Sequence, residues 1–246
     1  MIKRILIMTV LVLFCAGPAF SEDDFLKKGI EYYKKREYKK ANEIFLDIIR
    51  ADINNFTAFY YLGKVSKILG DNENAIMALK RAMEIQPNNV NLYIELADIY
   101  LITGNYRQAE KLALYALQNE KENGQLFYIL GQVYFNDKKF RKARIAFEKA
   151  ISFDPENAYY YNLTGLTYMK LKQSNNANTA FLTAIALDSS IYFFYYNLGL
   201  TYESLAEWGK AKDSFEKCLK LNNEFSPAKK ELTQVNAALA RIKRKK

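Results

Sequence analysis

Tyr128, Gln132 and Phe135 are separated by four and three residues, a spacing that sets three side chains on one face of a helix. The chemistry they offer is recognition. A glutamine amide both donates and accepts hydrogen bonds along an extended backbone, and aromatic rings add contact area at low entropic cost. Catalytic sets are missing from the same sequence. It contains no histidine, which removes Ser-His-Asp and Cys-His nucleophiles and most zinc sites. Neither a G-x-x-x-x-G-K-S/T phosphate loop nor a G-x-G-x-x-G dinucleotide loop occurs. Carboxylates such as Glu84, Asp98 and Glu203 stand singly, not in the pairs that glycoside hydrolysis uses. The expectation is binding without catalysis, and with no cofactor, metal or small-molecule substrate.

The elements that carry these side chains are set by a repeat. Gly29, Gly63, Ala97, Gly131, Gly165 and Gly199 stand 34 residues apart, and twelve residues after each comes Ala41, Ala75, Ala109, Ala143, Ala177 or Ala211. A fixed period of this length means stacked units that bury their apolar faces against one another. With the small residue numbered 8, the units are 22–55, 56–89, 90–123, 124–157, 158–191 and 192–225. Position 4 is always Phe or Tyr, and position 24 reads Phe45, Leu79, Ala113, Phe147, Phe181 and Phe215. Positions 4, 7, 8 and 11 share one helical stripe, and 20, 24 and 27 share a second. Each unit is therefore two amphipathic helices. Gly70 and Gly104, at position 15, suit a helix C-cap and turn, and Pro87 and Pro155 fall between units, where a helix must stop. Most of the 19 Tyr and 16 Phe are accounted for as core by this pattern.

The pattern resembles the tetratricopeptide repeat family. The resemblance is carried by Phe127-Tyr128-Ile129-Leu130-Gly131-Gln132-Val133-Tyr134, then Ala143, Phe147, Ala150 and Pro155, and by the same places in the other units. It covers Glu22 to about Phe225. Lys28 and Thr164 depart from the usual leucine, and Ala97 with Ala113 from the usual Gly and Phe. The fold implied is an all-α solenoid of six helix-turn-helix repeats with a capping helix at 226–246. Such arrays line a concave face with positions 2, 5, 9 and 12 of each first helix. Carried over, this implies a partner-binding set of Tyr60, Lys64, Asn91, Asp98, Gln125, Tyr128, Gln132, Phe135, Tyr159, Asn162 and Tyr196. The partner implied is a protein or peptide. No three consecutive units carry the Lys and Asn clamp that some members use for chaperone tails.

Half of the 246 residues are hydrophobic, which argues against disorder. The net charge of +9 belongs to the ends. Lys3 and Arg4 face no acid in the first 21 residues, and 226–246 hold Lys229, Lys230, Arg241, Lys243, Arg244, Lys245 and Lys246 against Glu231. The repeats between are almost neutral, so a nucleic-acid groove is not expected. Met1 to Ser21 reads as an export signal: a basic start, an apolar run from Ile5 to Phe14, and small residues before Glu22. Retention as an anchor and acylation at Cys15 are the other two readings, although Phe14 departs from the small residue that lipoprotein signals carry. The expected location is the periplasm or cell envelope. Cys218, where most units have alanine, reads as a small buried filler. The basic tail has two readings: a solvated helix end, or a weak contact with anionic lipid.

Overall fold

A computed structural model describes residues 22–244; the proposed export segment and the last two lysines lie outside them. Every regular element among the described residues is an α-helix. First and second helices alternate with lengths of 13 and 14 residues. They are α1 (Glu22–Lys34), α2 (Tyr38–Ala51), α3 (Phe56–Ile68), α4 (Asn72–Ile85), α5 (Val90–Ile102), α6 (Tyr106–Asn119) and α7 (Gly124–Asn136). Then follow α8 (Phe140–Phe153), α9 (Ala158–Lys170), α10 (Ser174–Leu187), α11 (Tyr192–Ser204), α12 (Trp208–Leu221) and α13 (Ser226–Arg244). The chain divides into two compact units, residues 1–78 and 79–246, with the division inside α4.

Many of the helix boundaries have a local cause. Asn55, Asn89, Asn123 and Asn157, at the last position of their repeats, accept a backbone N–H of the next first helix through their side chains, which satisfies one orphan donor of that helix. Ile191 stands in the same place before α11 without a side-chain cap and packs instead beside Phe194. Between the paired helices one residue per repeat is left-handed. Gly70 and Gly104 have φ of 83° and 77°, whereas Arg36, Lys138, Lys172 and Ala206 hold φ between 57° and 62°. The turn closes with Schellman-type bonds, as in Lys139 N–H to Tyr134 O at 2.8 Å. A left-handed L-residue costs about 1–2 kcal/mol, and glycine's extra unfolded entropy takes back about half of that. Lys138→Gly, at an exposed site, is expected to raise stability by about 0.5–1 kcal/mol, read as an upward shift of the unfolding midpoint.

In the amino-terminal unit α1, α2 and α3 enclose Ala41, Phe45, Ile48, Ala58, Leu62 and Val65. A Cβ on Gly29 would lie 2.7 Å from the Phe45 ring, so the glycine is a requirement of close helix approach.

In the carboxy-terminal unit successive helices from α5 to α13 pack on one another. The glycine-against-phenylalanine contact recurs as Gly131 on Phe147, Gly165 on Phe181 and Gly199 on Phe215. The third repeat has Ala97 and Ala113 there, both fully buried: with no ring at position 24, position 8 has room for a methyl group. A second regularity runs along the first helices. Leu92, Leu126, Tyr160, Phe194 and Ala228, each 34 residues on, are all buried, and so are Ile99, Val133, Thr167, Thr201 and Val235. These are positions 3 and 10 of the first helices, and α13 continues them in register. It begins at Ser226, with Pro227 in its first turn, where a missing backbone N–H costs nothing. Cys218 is fully buried, and burial pushes its thiol up to about 11.

Candidate partner-binding face

The best-developed part of the candidate set is on α5, α7 and α9. Tyr128 is half-buried on α7, its ring 5.0 Å from Tyr160 on α9 and 6.4 Å from Phe147. Its phenol is held above the ordinary tyrosine value first by burial, then by the charge of Asp98 on α5 and by Tyr159 on α9. Three consecutive first helices therefore present side chains to one place. Gln132 and Phe135 follow on the same α7 face, both half-buried, and Phe135 meets Phe140 edge-on at 5.5 Å. Asn91 and Gln125, one at position 2 of α5 and one at position 2 of α7, are exposed. Tyr159 is 48% exposed and leans on Phe194 at 5.7 Å and Phe193 at 6.2 Å. Accessible amides beside supported aromatic rings can hydrogen-bond an extended backbone and seat its side chains.

Asn162 does not join this face. The resemblance places it on the concave face with Asn91, but it is only 5% exposed. Its Oδ1 accepts a hydrogen bond from Asn197 Nδ2 at 2.8 Å, which ties α9 to α11 inside the protein. A buried amide needs such a partner, and the neighbouring first helix supplies it. Tyr196 is half-buried, as Tyr128 is, but lies at the carboxy-terminal end of the array. Its ring lies 5.1 Å from Phe225 and 5.9 Å from Phe215, and burial raises its phenol ahead of the nearby charge of Glu231. It fills the junction of α11, α12 and the start of α13.

Tyr60 and Lys64 belong to the amino-terminal unit and form a separate cluster. Lys64 Nζ stands 5.3 Å from the Tyr60 ring and 5.5 Å from that of Tyr33, a cation–π arrangement. Tyr60 in turn stacks on Phe56 at 6.0 Å.

Comparison with known proteins agrees with this architecture. Residues 47–157 match the family model described as the cytochrome c-type biogenesis protein H TPR domain. Residues 158–191 and 194–225 match the tetratricopeptide repeat model. The chain belongs to the tetratricopeptide repeat family. Anaphase-promoting complex subunit 3 of Schizosaccharomyces pombe is 36% identical over 72 residues, which are 29% of this chain and 11% of that protein. Among solved structures, the Cut9–Hcn1 hetero-tetramer of the anaphase-promoting complex aligns over 89% of this chain and 43% of its own, with a TM-score of 0.78 and 20% identity. Pseudomonas aeruginosa pilF aligns over 87% of this chain and 97% of its own, with a TM-score of 0.75 and 14% identity. These likenesses establish the fold. An all-α array of this family is a protein–protein interaction scaffold, a class that is generally non-catalytic.

Proposed function

We propose that the carboxy-terminal unit holds an extended segment of a partner protein along the face of Asn91, Asp98, Gln125, Tyr128, Gln132, Phe135 and Tyr159, and that it does so in the cell envelope. The observation that carries this reading is the meeting of α5, α7 and α9 at Tyr128: α5 packs on α7, the Tyr128 ring lies 5.0 Å from Tyr160 of α9, and after burial the charge of Asp98 of α5 raises its phenol. A segment laid across three first helices contacts all of them at once. The half-buried rings need little further ordering on binding, so less entropy is lost than with free side chains. The envelope location is supported by the likeness of residues 47–157 to a cytochrome c biogenesis domain and by the export-like composition of residues 1–21. Among the described residues no helix is long and apolar enough to cross a membrane.

The test is affinity capture from an envelope extract by the wild type, by Tyr128→Ala with Phe135→Ala, by Gln132→Arg, and by a chain ending at Arg241. The aromatic pair and Gln132→Arg are each expected to weaken capture at least about tenfold, or about 1.4 kcal/mol. Gln132→Arg changes the face without removing a packed ring, so its loss of capture does not depend on lost stability. The shortened chain is expected to keep its partner. Loss in the shortened chain with no effect of Gln132→Arg would move the function to the basic end of α13, where Lys243 and Arg244 are exposed.

A further inference from the structure

We propose that the outer face of the fourth repeat is a second docking surface, independent of the α5–α7–α9 face, and that it takes an amphipathic helix of a partner protein carrying carboxylates two turns apart. A groove of about 680 Å³ lies there, with Phe127, Leu130 and Tyr134 of α7 on one side and Ile145 and Ala146 of α8 on the other. Ile145 is 59% exposed. The residues in its place in the other repeats are Glu43, Met77, Lys111, Thr179 and Asp213, so the outward aliphatic group belongs to the second and fourth repeats. Leu130 and Ala146 are buried in the core beneath. The groove therefore has a firm apolar floor that gains by being covered.

Two cations mark the groove, Lys142 and Lys149, and neither forms an ion pair among the described residues; for Lys142 the reason is written in the repeat. Lys40 and Lys210 occupy the place of Lys142 in the first and sixth repeats. There each is neutralised by the acid three residues earlier, Glu37 or Glu207, at 2.6 Å. In the fourth repeat that place is Lys139, which is itself engaged with Asp137. Lys142 is left over the Tyr134 ring at 5.5 Å. Lys149 lies over the Phe153 ring at 5.0 Å; its neighbours one helical turn away are Ile145, Ala146, Ser152 and Phe153, none of them acidic. The one carboxylate in the lining, Glu148, is taken by Arg144 at 2.8 Å and by the Tyr168 hydroxyl at 2.8 Å. At the far end the Tyr134 phenol faces Glu110 and stays protonated, pushed up to about 12 by burial and by that carboxylate. Within the lining of the groove, the unpaired positive charge is that of Lys142 and Lys149. Seven residues separate them on α8, a rise of about 10.5 Å. A helix lying alongside α8 offers carboxylates at the same spacing, with its apolar stripe directed at Ile145.

The experiment uses a fluorescein-labelled synthetic helix with a leucine stripe flanked by two glutamates two turns apart, and its twin with lysines in place of the glutamates. Anisotropy titrations are made against the wild type, Lys142→Glu with Lys149→Glu, Ile145→Asp, and Tyr128→Ala with Phe135→Ala. The three outer residues are exposed, and thermal melts of each variant report folding. The acidic helix is expected to bind the wild type with a salt-weakened affinity, to lose at least about tenfold on the double charge reversal, and to lose binding with Ile145→Asp. The lysine twin is expected to prefer the charge-reversed protein by a similar factor. The inner-face pair is expected to bind as the wild type does, so failure of either surface leaves the other readable. A charge reversal that does not invert the preference overturns the proposal. So does loss of binding in the inner-face pair, or binding through Lys142 and Lys149 to phosphatidylglycerol vesicles but not to the acidic helix.

Discussion

Phe181→Ala is expected to lower stability by about 3–5 kcal/mol and Gly165→Ala by about 1–3 kcal/mol, while the two together cost clearly less than their sum. A Cβ on Gly165 would stand 2.6 Å from the Phe181 ring. The ring is fully buried, so it has no solvent-facing direction in which to retreat. The methyl group and the ring thus compete for one slot between α9 and α10. The third repeat shows the other way of filling it, with Ala97 and Ala113 both fully buried. Tyr93 there reaches out to Tyr115 at a centroid distance of 5.0 Å. The double variant rebuilds that alanine pair in the fifth repeat. Once the ring is gone the added methyl has nothing to strike, and the coupling between the substitutions is expected to be at least about 1 kcal/mol. For a chain of this size each kcal/mol moves the melting midpoint by about 2–4 °C, so the four proteins of the cycle are resolved by thermal unfolding followed with a single probe. Long repeat arrays can lose two-state behaviour, which makes the comparison of midpoints within the cycle the appropriate measure. Additivity within about 0.5 kcal/mol would mean that Gly165 and Phe181 do not share a slot.

The features readable in the sequence were those that recur at one depth in every repeat. Position 8 is small because position 24 presses on it, and the alanine pair at Ala97 and Ala113 carries the same rule in a changed form. The partner-binding face was less readable, because position 5 has no fixed depth. Tyr60, Tyr128 and Tyr196 are half-buried there, whereas Ile94 and Asn162 are buried. What decides is the residue that the next first helix places opposite, as Asn197 of α11 is placed against Asn162, and a per-repeat register does not report it. The buried row at position 3 ranges from Ala228 to Phe194, with no common residue type, whereas the row at position 10, Ile99, Val133, Thr167, Thr201 and Val235, is β-branched throughout but mixes apolar and hydroxyl side chains, so hydrophobicity alone does not mark it. The outer groove of the fourth repeat had a signal in plain view: Lys139 stands where Glu37 and Glu207 stand elsewhere. Its meaning came only with the ion pairs that those glutamates make.

Asn162→Leu is expected to cost about 1–3 kcal/mol, and Asn162→Leu with Asn197→Leu to cost less than the single substitution. The two amides are 5% and 8% exposed, and the bond from Asn197 Nδ2 to Asn162 Oδ1 is 2.8 Å long. The other buried hydroxyls nearby are served by their own helices: Thr164 donates to Tyr160 O, Thr167 to Leu163 O and Thr201 to Asn197 O. The amide pair is different because it joins two first helices. Removing one partner leaves a buried donor without water or protein to accept it, and the full desolvation penalty appears. Removing both replaces the pair with apolar contact of similar volume, which is often close to neutral. The measurement is the unfolding midpoint of both single variants and the double, with affinity capture read on the same proteins. If Asn162 acted as a contact for a bound segment, capture would fall in the single and in the double alike. The geometry predicts the opposite separation: stability depends on whether the amides are paired, and capture by Tyr128, Gln132 and Phe135 survives in the double variant.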